Sequence, residues 1–380
     1  MSIAAPSHHR SAASIGELDQ QVLAAAVCLS GMLPEPEQHF DEAVLDLADR
    51  RYRRMGLQEV ILYAAQANGY QGRFLRGDLA NVLRAGFSSI ALSGILANVG
   101  NKFLLAGFDS VESSWSQIAS RRSVPDFKPV TSYRLTGNAT YELVPPSGEM
   151  KHGTLGDEQF SNQADTYGRM FTISRTDIID DDLGALTTVS KKLGRGAALK
   201  LNEVFWSTFL DNANFFTLAN GNLEVGADTN LTVDGLTTAE TKFLERTDTE
   251  GKPIGIDPKI LLVPVALGVP ATSLMTSLEI RDNLSGPYPT TNPHTGKFRV
   301  VRSAYLSSPS FAGSSRDAWY LLADPNDLPL IEVAFLNGQE QPTIEHADAD
   351  FSVLGVQMRG FHDFGGSLQD HRGGGKMAGM

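Results

Sequence analysis

Residues 180–212, DDDLGALTTVSKKLGRGAALKLNEVFWSTFLDN, constrain the fold more than any other stretch. Small or apolar residues recur at Leu186, Val189, Leu193, Ala197, Leu201, Val204 and Thr208, in steps of three and four that keep one stripe on one helix face. Asp180, Asp181 and Asp182 open the run. Carboxylates there accept hydrogen bonds from the free N–H groups of a first turn and face the positive end of the helix dipole. The spacing predicts a single helix about 45 Å long, well beyond the ~11–12 residues of an average globular helix. A domain that contains such a strut has to bury one side of it along its whole length.

Gly194 and Gly196 sit in the middle of that helix, where each costs roughly 1 kcal/mol relative to alanine. Close crossing by another backbone would offset the cost. As a phosphate loop Gly194-Arg195-Gly196 fails, because Leu199 stands where the third glycine belongs and no strand leads into it.

With 380 residues the chain is long enough for two or three ordinary domains and a sizeable core. The one cysteine, Cys28, excludes an internal disulfide and any Cys/His zinc spacing, and points to a reducing compartment. The start MSIAAPSHHR lacks the basic-then-apolar run of a secretory signal. No window approaches the about 18 uninterrupted apolar residues of a membrane span, so the expected product is soluble, made in the cytosol and without a membrane partner. A net charge of −12 repels nucleic acid and anionic membranes as a whole. The basic groups Arg50, Arg51, Arg53 and Arg54, and Lys191 with Lys192, read as solvated helix faces.

Along the chain, residues 1 to about 40 are rich in Ala, Ser, Pro and Glu and are expected to be poorly ordered. Helical periodicity covers residues 41–68 and stops at Asn68-Gly69, and a second helical stretch spans roughly 76–84. The apolar run 87–108 is broken by Ser, Gly, Asn and Lys, so it reads as a segment lying against another surface. A boundary falls near Asp126. Residues 127–172 alternate at Tyr133, Leu135, Ala139, Tyr141 and Leu143, then at Tyr167, Met170, Phe171 and Ile173, around the turn-forming tip 145–153. This predicts a long two-stranded hairpin, and because an isolated ribbon is marginal in water, it needs a neighbour to lie on.

Residues 213–257 read as loop-rich. From Pro258 a buried strand, a helix over 274–281 and strands at 298–301, 319–322 and 331–336 describe a mixed α+β domain. A last alternating run, 351–361, precedes the Gly-rich tail 370–376, expected to be extended or mobile.

The search for chemistry nominates no catalytic, cofactor-binding or metal residues, and no cofactor. There is no Gly-x-Ser-x-Gly elbow and no His-Glu-x-x-His, and Gly251-Lys252 and Gly375-Lys376 lack the Ser/Thr and upstream strand of a P-loop. Glu345, His346, Asp348 and Asp350 form the best metal-like cluster. As a calcium loop it has Val353 where glycine is demanded and Arg359 where the bidentate glutamate belongs, so it reads as solvated acids at the start of a strand.

The ordered segments DFKPVTSYRLTG (126–137), ISRTDIIDDDLGAL (173–186), PKILLVPVAL (258–267), WYLLADPNDLPLIEVAFLNGQEQP (319–342), FHDFGG and DHRGGGK resemble the major capsid proteins of tailed phages. The resemblance is closest to the Mu-like prophage major head subunit family and covers roughly residues 86–376. It implies an α+β fold of the Hong Kong 97 capsid type. The implied division is a leader or scaffold-like helical segment (1–70), an N-terminal arm (71–126), an extended hairpin loop (127–172), a peripheral domain with the spine helix (173–257), an axial domain (258–336), and the peripheral return strand with the C-terminal tail (337–380).

The implied role is that of a shell protein and not an enzyme. Copies of the chain would self-assemble through hexamers and pentamers into an icosahedral phage or prophage head, enclosing double-stranded DNA without binding it specifically. Its place would be the virion, after a stage in the host cytoplasm, with portal, scaffold, maturation protease and decoration proteins as further partners. Lys151 in the hairpin tip is where the Lys–Asn cross-link of some relatives would start. An encapsulin-type nanocompartment would share the fold but hold protein cargo. An enzyme would instead need a pocket with converging titratable groups.

Overall fold

The computed structural model describes residues 17–52, 55–73, 81–82, 85, 90–137, 155–174, 176, 180, 183–248, 251–280, 290–348 and 355–379. In chain order these form α1 (Glu17–Ser30), α2 (Glu42–Arg51), α3 (Leu57–Ala67), α4 (Ile90–Asp109), β1 (Ser120–Val124), β2 (Val130–Gly137), β3 (Leu155–Asn162) and β4 (Asp165–Ser174). Then come α5 (Leu183–Leu210), β5 (Leu223–Glu224), α6 (Val233–Leu244), β6 (Pro258–Pro264), α7 (Gly268–Thr276), β7 (Glu279–Ile280), β8 (Thr290–Thr291) and β9 (Arg299–Ser303). Strands β10 (Trp319–Ala323), β11 (Ile331–Leu336), β12 (Thr343–Asp348), β13 (Gly355–Leu368) and β14 (Gly374–Met377) complete a mixed α+β chain. It divides into two compact units, Met1–Glu112 with Thr166–Lys200 and Gln341–His362, and Ser113–Asp165 with Leu201–Glu340 and Asp363–Met380.

The first unit is built on helices. Leu23 and Val27 of α1, Val60 and Ile61 of α3, Phe103 and Leu104 of α4, and Leu186 and Leu193 of α5 meet in one core with Ile344 and Met358 of β12 and β13. The expectation of a poorly ordered start is therefore corrected from Glu17 onward: Leu23 and Val27 lie four apart and bury one side of α1. Cys28 is buried beside them, and burial pushes its thiol up to about 12. The helical stretch 41–68 is two helices, and α3 starts afresh at Gly56, whose N–H donates to the Glu59 carboxylate at 3.3 Å. It ends where expected, with Gly69 in the left-handed region at φ 91°. Of the second helical stretch, 76–84, only residues 81–82 are described.

The apolar run 87–108 is α4, and the surface it lies against is α5. A Cβ on Gly194 would come within 2.7 Å of the Leu104 carbonyl carbon and 3.0 Å of the Phe108 nitrogen. Reciprocally, a Cβ on Gly107 would meet the Lys191 carbonyl carbon at 2.9 Å. The close crossing expected of the mid-helix glycines thus exists at Gly194. A Cβ on Gly196 would have nothing within 4 Å, so this glycine takes no part in the crossing. At 28 residues α5 is about 42 Å long. Of the expected cap, Asp181 and Asp182 lie outside the described residues. The buried side of α5 is wider than the predicted stripe, adding Ser190, Ala198, Phe205, Trp206 and Phe209.

In the second unit one mixed sheet has the order β5-β14-β10-β6-β9. Strand β10 is antiparallel to both β6 and β14, β6 runs parallel to β9, and β14 parallel to β5. All of β10 and nearly all of β6 is buried, which is why KILLVP and WYLLA read as continuous apolar runs. Helix α6 packs there through Leu236, Ala239 and Phe243, correcting the loop reading of 213–257. Its start is fixed by Thr232, whose hydroxyl accepts from the Gly235 N–H at 3.1 Å.

The Gly-rich tail is corrected too. It is strand β14, and a Cβ on Gly374 would lie 2.8 Å from a Leu322 methyl and 2.9 Å from one of Leu330. These glycines serve close approach. Elsewhere in the unit β1 is parallel to β11, and β11 antiparallel to the second part of β13.

Candidate assembly interface

Strands β2 and β3 form an antiparallel ribbon in register from Val130↔Asn162 to Gly137↔Leu155. Among the described residues neither strand pairs with any other. Eight residues per strand at about 3.4 Å each extend roughly 27 Å. The return strand of the ribbon is 155–162. The run at Tyr167, Met170 and Phe171, expected on that return, belongs to β4, which pairs with β13. The true return, LGDEQFSN, has only Leu155 and Phe160 as apolar residues and no alternation, so the alternating run after it drew the assignment. The tip, residues 145–153 with Lys151, lies outside the described residues.

What holds the ribbon is at its base. The Arg372 side chain, 7% exposed, pairs through Nε with Asp370 Oδ1 at 2.8 Å and through Nη2 with Glu158 of β3. Burial works against the guanidinium's charge, but the hydrogen bond and field of Asp370, with those of Glu158, outweigh it and hold the group above its usual pKa. Asn162, at the end of β3, donates through Nδ2 to the Glu332 carbonyl at 3.2 Å and to its carboxylate at 3.1 Å. Ser367 Oγ donates to the Ser161 carbonyl at 2.6 Å. Arg122 reaches Ser132 of β2 and lies 3.8 Å from Glu332. The ribbon is therefore anchored along one end, and Tyr133 on it is exposed.

A second buried cation stands behind the anchor. Arg246 Nη1 donates to the Arg372 carbonyl at 2.7 Å, and burial, opposed by Asp370 and Glu224, pulls its pKa down to about 10. None of these ties was nominated from the sequence. The one local signal was the spacing of Asp370 and Arg372, a carboxylate two residues before an arginine in a Gly-rich run.

The metal-like cluster is spread along β12. Glu345 pairs with Arg359 across the ladder at 2.7 Å, so the arginine in the diagnostic glutamate position takes the acid for itself. Asp350 lies outside the described residues, and among those described no three His, Cys, Asp or Glu side chains could hold a metal ion. Gly194-Arg195-Gly196 is helix, and Gly375-Lys376 is strand β14. Arg50 is paired to Asp46 at 3.0 Å on an exposed face, as read; Arg53 and Arg54 are not described. Lys191 instead covers the Phe103 ring, 5.1 Å from its centre. No helix among the described residues is long and apolar enough to cross a membrane.

One line of groups superficially suggests chemistry. Thr237 Oγ1 lies 2.9 Å from His294 Nε2, and His294 Nδ1 lies 3.5 Å from Glu240. The threonine hydroxyl, however, donates to the Val233 carbonyl at 2.8 Å, and Lys297 engages both oxygens of Glu240 at 2.8 and 2.9 Å. The arrangement ties α6 to the segment after β8.

The chain matches the phage capsid protein family over residues 157–377, more than half its length, and belongs to that family. The matched region runs from β3 through α5 to β14, so it contains the return strand of the ribbon, the long helix and the buried tail. A capsid protein is a structural component of a virion that works by associating with further copies of itself. No curated protein matches.

Among solved structures, the chain is similar to a virus-like particle from Pyrococcus furiosus at 9% identity and a TM-score of 0.43, covering 73% of this chain and 97% of that one. The capsid of cyanophage P-SCSP1u is similar at 11% identity and a TM-score of 0.44, covering 69% and 86%. The capsid of Myoviridae phage XM1 follows at 10% identity and 0.44, covering 70% and 90%.

Proposed function

We propose that this chain is the major shell subunit of a tailed-phage or prophage head of the Hong Kong 97 type, within the Mu-like head subunit family. The carrying observation is the ribbon of β2 and β3 in a chain of a capsid family: no other described strand pairs with it, and a buried guanidinium clamps its base. A free ribbon is marginal in water, and an adjacent subunit gives it the surface it lacks. On this reading the β2–β3 part of 127–172 is the extended loop, 71–126 the arm, and the sheet of β6, β9 and β10 within 258–336 the axial domain, joined by α6 and β14 from the flanking segments 173–257 and 337–380, whose other parts form the peripheral domain. The leader, 1–70, contributes α1 and α3 to the same core as α4 and α5, which favours a built-in part of the subunit over a separable scaffold-like segment.

Copies associate as hexamers and pentamers, each burying well over the ~1,600 Å² of a standard interface. Double-stranded DNA is enclosed rather than bound. With a net charge of −12 the lumen face is neutral to acidic, and the shell holds free DNA no better than about millimolar to high micromolar, at or weaker than ordinary non-specific binding. Catalysis has no part in this role. Portal, scaffold, protease and decoration proteins complete the assembly.

The test is deletion of residues 145–153. The deleted subunit should keep its circular dichroism and cooperative melting and yet fail to close shells. Normal shells from it would refute the role given to the ribbon.

A further inference from the structure

A small cleft in the second unit is lined by three cations and one acid. Lys242 near the end of α6, Arg246 just past it and Lys376 of β14 meet there with Glu224 of β5. In a chain of net charge −12 this is a local excess of positive charge. The nearby acids do not cancel it. Glu224 Oε1 lies 3.6 Å from Lys242 Nζ, and Asp370, on the same tail as Lys376, is held by Arg372 at 2.8 Å.

Arg246 and Lys376 are what remains. The Arg246 guanidinium lies over the Phe243 ring, 4.3 Å from its centre, and against Gly375, where a Cβ would come within 2.7 Å of Nη2. Its Nη1 has only a neutral acceptor, the Arg372 carbonyl. Its Nε is buried and has no hydrogen-bond partner among the described residues. Lys376 is half-buried, with Nζ 5.8 Å from the centre of the Tyr320 ring, and among the described residues it forms no ion pair. Burial lowers the pKa of its ammonium, as desolvation without a countercharge does. Cations taken out of water in this way are costly unless an anion joins them.

We propose that this cleft is a binding site for one small monovalent anion of the size of chloride, an inference that does not depend on the shell function. The room is about 10 Å³, the space of one water-sized particle, so a phosphate or a nucleotide is excluded by size. A metal cation is excluded by sign. A water molecule would accept from the Arg246 Nε–H but leave both charges unmatched, whereas a halide does both. The bound anion would join α6 to β14 directly behind the base of the ribbon. Arg246 holds the carbonyl of Arg372, and the Arg372 guanidinium holds Glu158 of β3. Anion occupancy therefore bears on how firmly the ribbon is anchored.

The experiment melts the full chain, as dissociated subunits, in sodium gluconate, whose anion is too large for the cleft. Chloride then replaces gluconate at constant ionic strength. Binding to the folded state alone should raise the midpoint with the logarithm of chloride once the site fills, by about 3–5 °C per tenfold. Lys376→Met and Lys376→Gln each remove one of the two unmatched charges. They should melt in gluconate at or above the parent's midpoint and lose most of the chloride increment. Lys128→Met makes the same charge change at an exposed position of the same unit and should keep the increment. Crystals grown in bromide should show its anomalous signal in contact with Arg246 and Lys376. Parent midpoints indifferent to the anion, or an equal chloride rise in both Lys376 variants, would overturn the proposal. A cleft without bromide would mean that water alone fills it, and would overturn it as well.

Discussion

Replacing Gly194 by alanine should destabilise the first unit, and the same change two residues on, at Gly196, should stabilise it. Both residues lie on α5, and both gain about 1 kcal/mol of intrinsic helix preference. At Gly196 a Cβ has nothing within 4 Å, so that gain is kept. At Gly194 the Cβ would sit 2.7 Å from the Leu104 carbonyl carbon and 3.0 Å from the Phe108 nitrogen. Both are backbone atoms of a helix and cannot swing aside, so α4 and α5 have to part by roughly an ångström.

Overpacking of this kind costs about 1–3 kcal/mol, and rigid neighbours put it at the upper end. Set against the helix preference, Gly194→Ala should lose about 2 kcal/mol. At roughly 2–4 °C per kcal/mol for a unit of this size, the melting midpoint falls by about 4–8 °C, while Gly196→Ala rises by about 2–4 °C. Differential scanning calorimetry on dissociated subunits resolves this. A Gly194→Ala subunit as stable as the parent would show that the crossing is not close-packed.

Arg372→Met should cost about 3–5 kcal/mol, because Asp370 and Glu158 lose a buried countercharge; a urea titration giving under about 1 kcal/mol would mean that the clamp at the ribbon base is not structural. Stability should also fall as pH drops. Burial lowers His294, against the pull of Glu240, and burial likewise lowers His371 and His39, so the unfolded chain takes up protons first. Their contribution is full above the ordinary histidine value of about 6.5 and is lost on going below it. The loss between about pH 7 and 5 should be smaller in His294→Gln, and melts that are parallel in the two proteins would refute the assignment.

What the sequence disclosed and what it hid differ by the range of the forces involved. Helix α5 was legible because its periodicity is local, and so was the need for a partner at Gly194; that Leu104 is the partner was not, since nothing near Gly194 names it. Alternation marked Tyr167, Met170, Phe171 and Ile173 as the return of the ribbon, whereas the true return, 155–162, carries no alternation and was passed over. The tail 370–376 looked mobile by composition because the reason for its glycines, the Leu322 and Leu330 side chains against Gly374, is spatial. Helix α6 was hidden by Thr237, Thr238 and Thr241, which lie off its buried face.

The clamp was the least legible feature: Arg372 and Glu158 are 214 positions apart, and a salt bridge across that distance leaves no periodic trace. Membership of a capsid family, by contrast, was legible in the order of short segments, because order survives where spacing and composition drift.

Self-association into closed shells is the claim on which the rest depends, and electron microscopy of the purified full chain tests it most directly. The account predicts uniform hollow particles whose walls resolve into five-fold and six-fold clusters of subunits. A protein that remains a monomer in the micrographs, and in light scattering across salt and concentration, would contradict it.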